Sequence, residues 1–319
     1  MLINYISYGL QKSGGSVYEN ILLEQLAAFQ NGKEVKPQVE KCILKKPTSG
    51  IFNLRLILYG FNKATADINL CVVRTALGGL IRNLFSKRQV WVIVHNYDPS
   101  DGKKAKLKGY YFLLFFLLRS IKTARIKVIT VSPFFQSYFR EILNRRIDFF
   151  PNLFDTQKYL AIQTNEKRKR IHLGQWSSKN DPSIFSVAKA LNSMGYECFF
   201  TTLKNEDATV GSFFSINHYP EYEAYLQDVA HCEYTLALTR INEGWNRIAH
   251  ESILLGTPVI GYANGGLGNL LVEANQIIVT NYKEVLRAIS QNQKNDCPSA
   301  FIHKYDYSLA GTYLHAIFN

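Results

Sequence analysis

The sequence predicts an α/β protein of two domains, and three observations carry that prediction. Short apolar runs recur along the chain between segments whose apolar residues follow helical spacing, the pattern of repeated strand and helix. At 319 residues the chain exceeds what one hydrophobic core usually supports. The charged stretch Gln163 to Arg170 interrupts the alternation, so the domain boundary is expected near residue 160, with one domain over 1–160 and the other over 161–319. With 47% hydrophobic and 19% charged residues, the composition excludes disordered and fibrous classes.

Taken in order, Leu2 to Ile6 reads as a short strand. Ser13-Gly14-Gly15-Ser16 breaks the pattern before Val17 to Gln30 resumes it with helical spacing. Val35 to Leu44 and Ile51 to Tyr59 are weaker candidates, whereas Ile68 to Val73 and Val90 to Val94 read as buried parallel strands, the latter running straight into His95. A basic stretch leads to the apolar run Tyr110 to Leu118, a strand at Val128 to Val131, a helix from Pro133 to Leu143 and a turn at Pro151 to Asp155. Beyond the linker, Ile171 to Leu173 reads as a strand ending at Gly174. Tyr196 to Thr201 and Tyr234 to Leu238 read as further strands, Tyr222 to His231 as a helix, and Thr257 to Gly261 as a short strand after a helix. The aromatic tail Tyr305 to Phe318 has a helical pattern and is expected to pack.

The net charge of +12 is unevenly placed. Through Thr156 there are 23 Lys and Arg against 10 Asp and Glu; thereafter there are 14 against 15. The first half is therefore expected to face a polyanionic surface, either nucleic acid or an anionic membrane leaflet. No recognisable nucleic-acid module accompanies the charge, so no nucleic-acid partner is expected. Lys103, Lys104, Lys106 and Lys108 precede the apolar run Tyr110 to Leu118, which is too short to span a bilayer but suits an interfacial segment. The five cysteines are scattered without zinc-ligand spacing and read as reduced thiols. With no leader pattern at the N-terminus, a cytoplasmic protein, peripheral at the inner face of the membrane, is expected.

The chemistry concentrates in Glu243-Gly244-Trp245-Asn246-Arg247-Ile248-Ala249-His250-Glu251, followed by Gly256-Thr257-Pro258-Val259-Ile260 and Asn264-Gly265-Gly266. The spacing places Glu243 in a loop entering a helix and Glu251 two turns further in. Amides at Gly244, Trp245 and Asn246 are then set to meet a diphosphate at the helix N-terminus. An isolated pair of glutamates would read as an ordinary capped helix. Here the following Gly-x-Pro-Val-Ile and Gly-Gly segments change the reading.

This window resembles the retaining GT-B glycosyltransferases of family GT4, and the glycine loop, His95, Val131-Ser132 and Pro151-Asn152-Leu153-Phe154-Asp155 extend the resemblance over nearly the whole chain. The resemblance implies two Rossmann-like domains facing across a cleft, with the C-terminal helix packing back on the N-terminal domain. It implies that Glu251 holds the donor ribose and that Glu243 contacts the transferred sugar. Gly14 and Gly15 would let backbone approach the phosphates; His95, a position that alone is more often structural, would donate a hydrogen bond beside the reacting sugar. By the same resemblance Gly174 and Lys179 match the phosphate clamp, but Gln175 stands where the family has arginine, so either Arg247 or another basic residue substitutes or the donor and the activity differ from the family's. Asn269, where the family often has glutamate, is a milder departure.

The expected activity is transfer of a sugar, with retention, from a nucleotide-sugar donor to a glycan or lipid-linked acceptor in polysaccharide assembly. With no Asp-x-Asp pair, no metal and no cofactor are expected. Three other readings stay open: a glycosyltransferase-like partner subunit without catalysis, a nucleotide-sugar epimerase of the same fold, and a nucleic-acid-binding protein.

Overall fold

A computed structural model describes residues 1–8, 14–29, 37–44, 52–95, 97, 108–202 and 213–319. The basic residues Lys103, Lys104 and Lys106, together with Ser13 and Asn96, lie outside the described residues. The chain forms two compact units, Met1–Leu153 joined by Ser308–Asn319, and Phe154–Tyr307. Along the sequence the first unit passes into the second after Leu153, and the last residues of the chain count with the first unit.

The first unit alternates strand and helix in the order β1 (Leu2–Tyr8), α1 (Gly14–Ala28), β2 (Gln38–Leu44), α2 (Phe52–Lys63), β3 (Ile68–Val72), α3 (Val73–Leu84), β4 (Gln89–Val94), α4 (Lys108–Ser120), β5 (Ile126–Thr130), α5 (Pro133–Leu143) and β6 (Asp148–Phe149). The six strands form one sheet in the order β2-β1-β3-β4-β5-β6, every pairing parallel. β3 is buried along its whole length and β4 nearly so, which is why both read as continuous apolar runs. Of the two weaker candidates, Val35 to Leu44 holds a strand and Ile51 to Tyr59 a helix, which buries Leu56 and Gly60 one turn apart. α5 is bounded by local chemistry at both ends. Ser132 accepts a hydrogen bond from the Phe135 amide, Pro133 occupies the first turn, and Asn144 closes the helix in the left-handed region.

The second unit runs α6 (Thr156–Ile162), β7 (Arg168–Gln175), α7 (Ser183–Ser193), β8 (Glu197–Thr202), β9 (Ser215–His218), α8 (Tyr222–Ala230), β10 (Cys232–Ala237), α9 (Arg247–Leu254), β11 (Val259–Gly261), α10 (Gly266–Glu273), β12 (Ile277–Ile278), α11 (Tyr282–Ser290) and α12 (Ser299–Lys304). Its sheet is again all-parallel, in the order β12-β11-β10-β7-β8-β9. Numbered within the unit this is 3-2-1-4-5-6 read from the β9 edge, the doubly wound order whose direction reverses between β7 and β10. Ligands of such sheets sit outside the carboxyl ends of the strands at that reversal.

The chain ends in α13 (Ala310–Phe318), which packs on the first unit. Phe318 stacks on Phe29 with ring centroids 5.2 Å apart and meets the buried Trp91 edge-on at 4.9 Å; Tyr313 packs against Phe149 and Phe150.

Candidate functional site

In the second unit, three loops leave the carboxyl ends of β7, β10 and β11 and are stitched together by backbone. The Arg240 amide donates to the Lys179 carbonyl at 3.0 Å, the Asp181 amide to the Leu238 carbonyl at 2.9 Å, and the Gly266 amide to the Glu243 carbonyl at 2.7 Å. Asn264 Nδ2 donates to the Thr239 carbonyl, joining the β11 loop to the β10 loop. Gly265, at φ +62°, caps α10; a Cβ there would stand 2.6 Å from the Glu243 carbonyl oxygen, so only glycine lets these two loops meet. Gly174, at φ +78°, lies one residue before the end of β7, where the pairing with β8 shifts register.

Within this frame Lys179 and Glu243 come together, with Nζ 3.7 Å from Oε1. The lysine side chain is 50% exposed and the glutamate only 12%. Burial pushes the Glu243 carboxyl up, while Lys179 and a hydrogen bond with Asn246 pull the other way. Asn246 caps α9, its Oδ1 accepting from the Ala249 amide at 2.9 Å. The site therefore offers a partly exposed ammonium, a shielded carboxyl and the amide-bearing starts of α9 and α10 in one place, an arrangement suited to an anion joined to a polar group.

Glu251 has a different setting. It is 3% exposed and already has three partners: Tyr222 donates its hydroxyl to Oε1 at 2.5 Å, Tyr225 to Oε2 at 3.1 Å, and Arg247 Nε to Oε1 at 2.8 Å. Arg247, expected on the phosphates, lies one turn before Glu251 on the same helix face and is drawn inward to it. Its guanidinium also sits 4.4 Å over the Phe154 ring, and although burial opposes its charge, the Glu251 carboxylate favours it. Trp245 is an interior residue as well; its indole donates to His250 Nδ1 at 3.0 Å and packs on Tyr305. Burial, then Arg247, pushes the His250 imidazole far below its ordinary range, so it stays neutral.

In the first unit, Gly14 and Gly15 form the opening turn of α1 beyond the carboxyl end of β1. His95 follows β4, and its Nε2 lies 2.5 Å from Oε1 of Glu19 on α1. Nothing in the sequence marks Glu19, or Tyr222 and Tyr225; each acts through a neighbour distant along the chain, a signal available only in three dimensions.

No protein-family model matches the chain, and no curated protein matches it in sequence. Solved structures match over its full length. Anabaena HepE in complex with UDP-glucose aligns with a TM-score of 0.70 at 14% identity, covering 100% of this chain and 99% of that one. An α,α-trehalose-phosphate synthase (UDP-forming) from Burkholderia xenovorans aligns at 0.67 and 9% identity, covering 100% of both chains. The UDP-GlcNAc 2-epimerase of Methanocaldococcus jannaschii aligns at 0.59 and 10% identity, covering 100% of this chain and 99% of that one. These likenesses establish the fold: the chain is an α/β protein of GT-B type, built from two Rossmann-like units.

Proposed function

We propose that this chain is a glycosyltransferase taking a sugar from a nucleotide diphosphate donor. The observation that carries the reading is the Lys179–Glu243 pair beside the starts of α9 and α10, at the reversal point of the second sheet. Breaking the bond between sugar and diphosphate develops negative charge on the leaving oxygen. Lys179 and the helix-terminal amides would stabilise that charge, and Glu243 would hydrogen-bond a hydroxyl of the transferred sugar. In this scheme transfer proceeds with retention, the departing phosphate takes the acceptor's proton, and no metal is needed. Because HepE of the same fold was solved with UDP-glucose, UDP-sugars are the first donors to test. A glycan or lipid-linked acceptor, reached from an anionic membrane surface in the cytoplasm, fits the basic first half.

The experiment is to measure binding and turnover of a panel of nucleotide sugars. Glu243→Ala is expected to slow turnover by roughly tenfold to a hundredfold, the range for losing a hydrogen bond to a charged group, with donor affinity kept; Glu251→Ala is expected to weaken donor affinity over a similar range. Activity is expected to persist in EDTA. Failure of the folded protein to bind any nucleotide sugar overturns the proposal, and loss of transfer in EDTA restored by magnesium overturns its metal-free form. Gln175 favours a second reading, a partner subunit without catalysis; binding of a donor without turnover would select it.

A further inference from the structure

The resemblance assigns His95 the role of donating a hydrogen bond, but the structure ties its Nε2 to Glu19. The two side chains are 22% and 13% exposed, and Nε2 stands 2.5 Å from Oε1. The other carboxylate oxygen, Oε2, accepts from the Tyr5 hydroxyl on β1. Burial, reinforced by the Glu19 charge, raises the Tyr5 phenol, so this hydroxyl remains a proton donor and Glu19 remains the acceptor between two donors. A carboxylate in that position requires the proton on Nε2 of the imidazole. The ring is also fixed in orientation: Tyr18 meets it edge-on, centroids 4.9 Å apart and planes at 87°, and Tyr18 is itself anchored by donating to the Phe150 carbonyl at 3.0 Å. The Tyr8 phenol, raised chiefly by burial, also feels the Glu19 charge, and the Arg74 guanidinium stands 5.4 Å over the Tyr8 ring.

We propose that Glu19 is a positioning residue that holds His95 as the Nε2–H tautomer, leaving Nδ1 as the nitrogen that meets the substrate. A neutral ring held this way accepts a hydrogen bond at Nδ1 from a sugar hydroxyl; it donates only when doubly protonated. The second point rests on the glycosyltransferase reading, whereas the tautomer itself does not. The pairing joins α1, which begins with Gly14 beyond β1, to the end of β4, so one carboxylate ties the glycine-led helix to the histidine.

Nitrogen-detected NMR of the intact protein, with His95 assigned from its loss in His95→Gln, reads the tautomer directly. The expected spectrum of the neutral ring has a protonated Nε2 and a bare Nδ1, and Glu19→Ala is expected to give a mixture of tautomers. Glu19→Gln, which keeps a carbonyl oxygen of the same reach, is expected to retain Nε2–H and so serves as the folded control. In turnover assays with the donor found in the panel, Glu19→Ala is expected to lower kcat by roughly tenfold with KM for donor unchanged, and Glu19→Gln to recover part of it. A protonated Nδ1 in the wild type, or a Glu19→Ala spectrum identical to it, overturns the proposal. The NMR outcome decides the pairing even if no nucleotide sugar is turned over, so its failure and that of the glycosyltransferase reading remain distinct.

Discussion

A carboxylate that is to grip a ribose must exchange the partners it has, and Glu251 has two tyrosine hydroxyls and an arginine. Tyr222 is the replaceable one, because it is 45% exposed whereas Tyr225 and Arg247 lie inside. Tyr222→Phe is therefore expected to tighten donor binding, by severalfold to about tenfold, since a ribose hydroxyl would no longer compete with the phenol for the same oxygen. Titration calorimetry with the nucleoside diphosphate checks it, and weaker binding by the variant would show that Tyr222 contacts the ligand instead. The placement of Glu243 in a loop and of Glu251 on the helix that follows was legible because spacing along one continuous segment is a local property. Tyr222 and Tyr225 were not, since they reach Glu251 from α8, and the inward turn of Arg247 depends on the Phe154 ring at the start of the unit.

Among the elements, α4 carries exposed apolar side chains. Tyr111, Leu114 and Leu118 are buried, while Phe112, Leu113 and Phe116 are 75%, 43% and 56% exposed, with Lys108, Arg119 and Arg125 exposed around them. The helix is thus apolar on two sides, one buried in the core and one exposed. Replacing both Phe112 and Phe116 by Ser is expected to cut binding to anionic vesicles by on the order of a hundredfold, from about 3 kcal/mol of lost aromatic burial, without loss of fold. Sedimentation with phosphatidylserine vesicles tests this, and equal partitioning of variant and wild type refutes it. Among the described residues no helix is long and apolar enough to cross a membrane. How legible an element was followed its chemistry: α5 announced itself through Ser132 and Pro133, but β9 went unseen because Ser-Ile-Asn-His is a polar edge strand, with no residue fully buried.

At the scale of the molecule, the second unit carries two histidines that must stay neutral. His172 lies between the hydroxyls of Thr201 and Thr235, stacked on Phe199, and burial lowers its pKa from 6.5 to about 3. The unfolded chain takes up a proton below about pH 6.5 that the folded ring refuses, so stability is intact above that pH and falls as the pH drops towards 3, by up to about 1.4 kcal/mol per pH unit. His250 acts in the same direction. Urea unfolding between pH 7 and 4 is expected to show this loss, with a shallower slope in His172→Gln; equal slopes would mean the ring protonates in place. The placement of α13 matters on another timescale. Because Ser308–Asn319 complete the first unit around an intervening second one, a ribosome delivers the second unit whole before Phe318 can cover Trp91 and Phe29. The part made first is finished last, and until then a nascent chain keeps the aromatic seat of that helix within reach of chaperones.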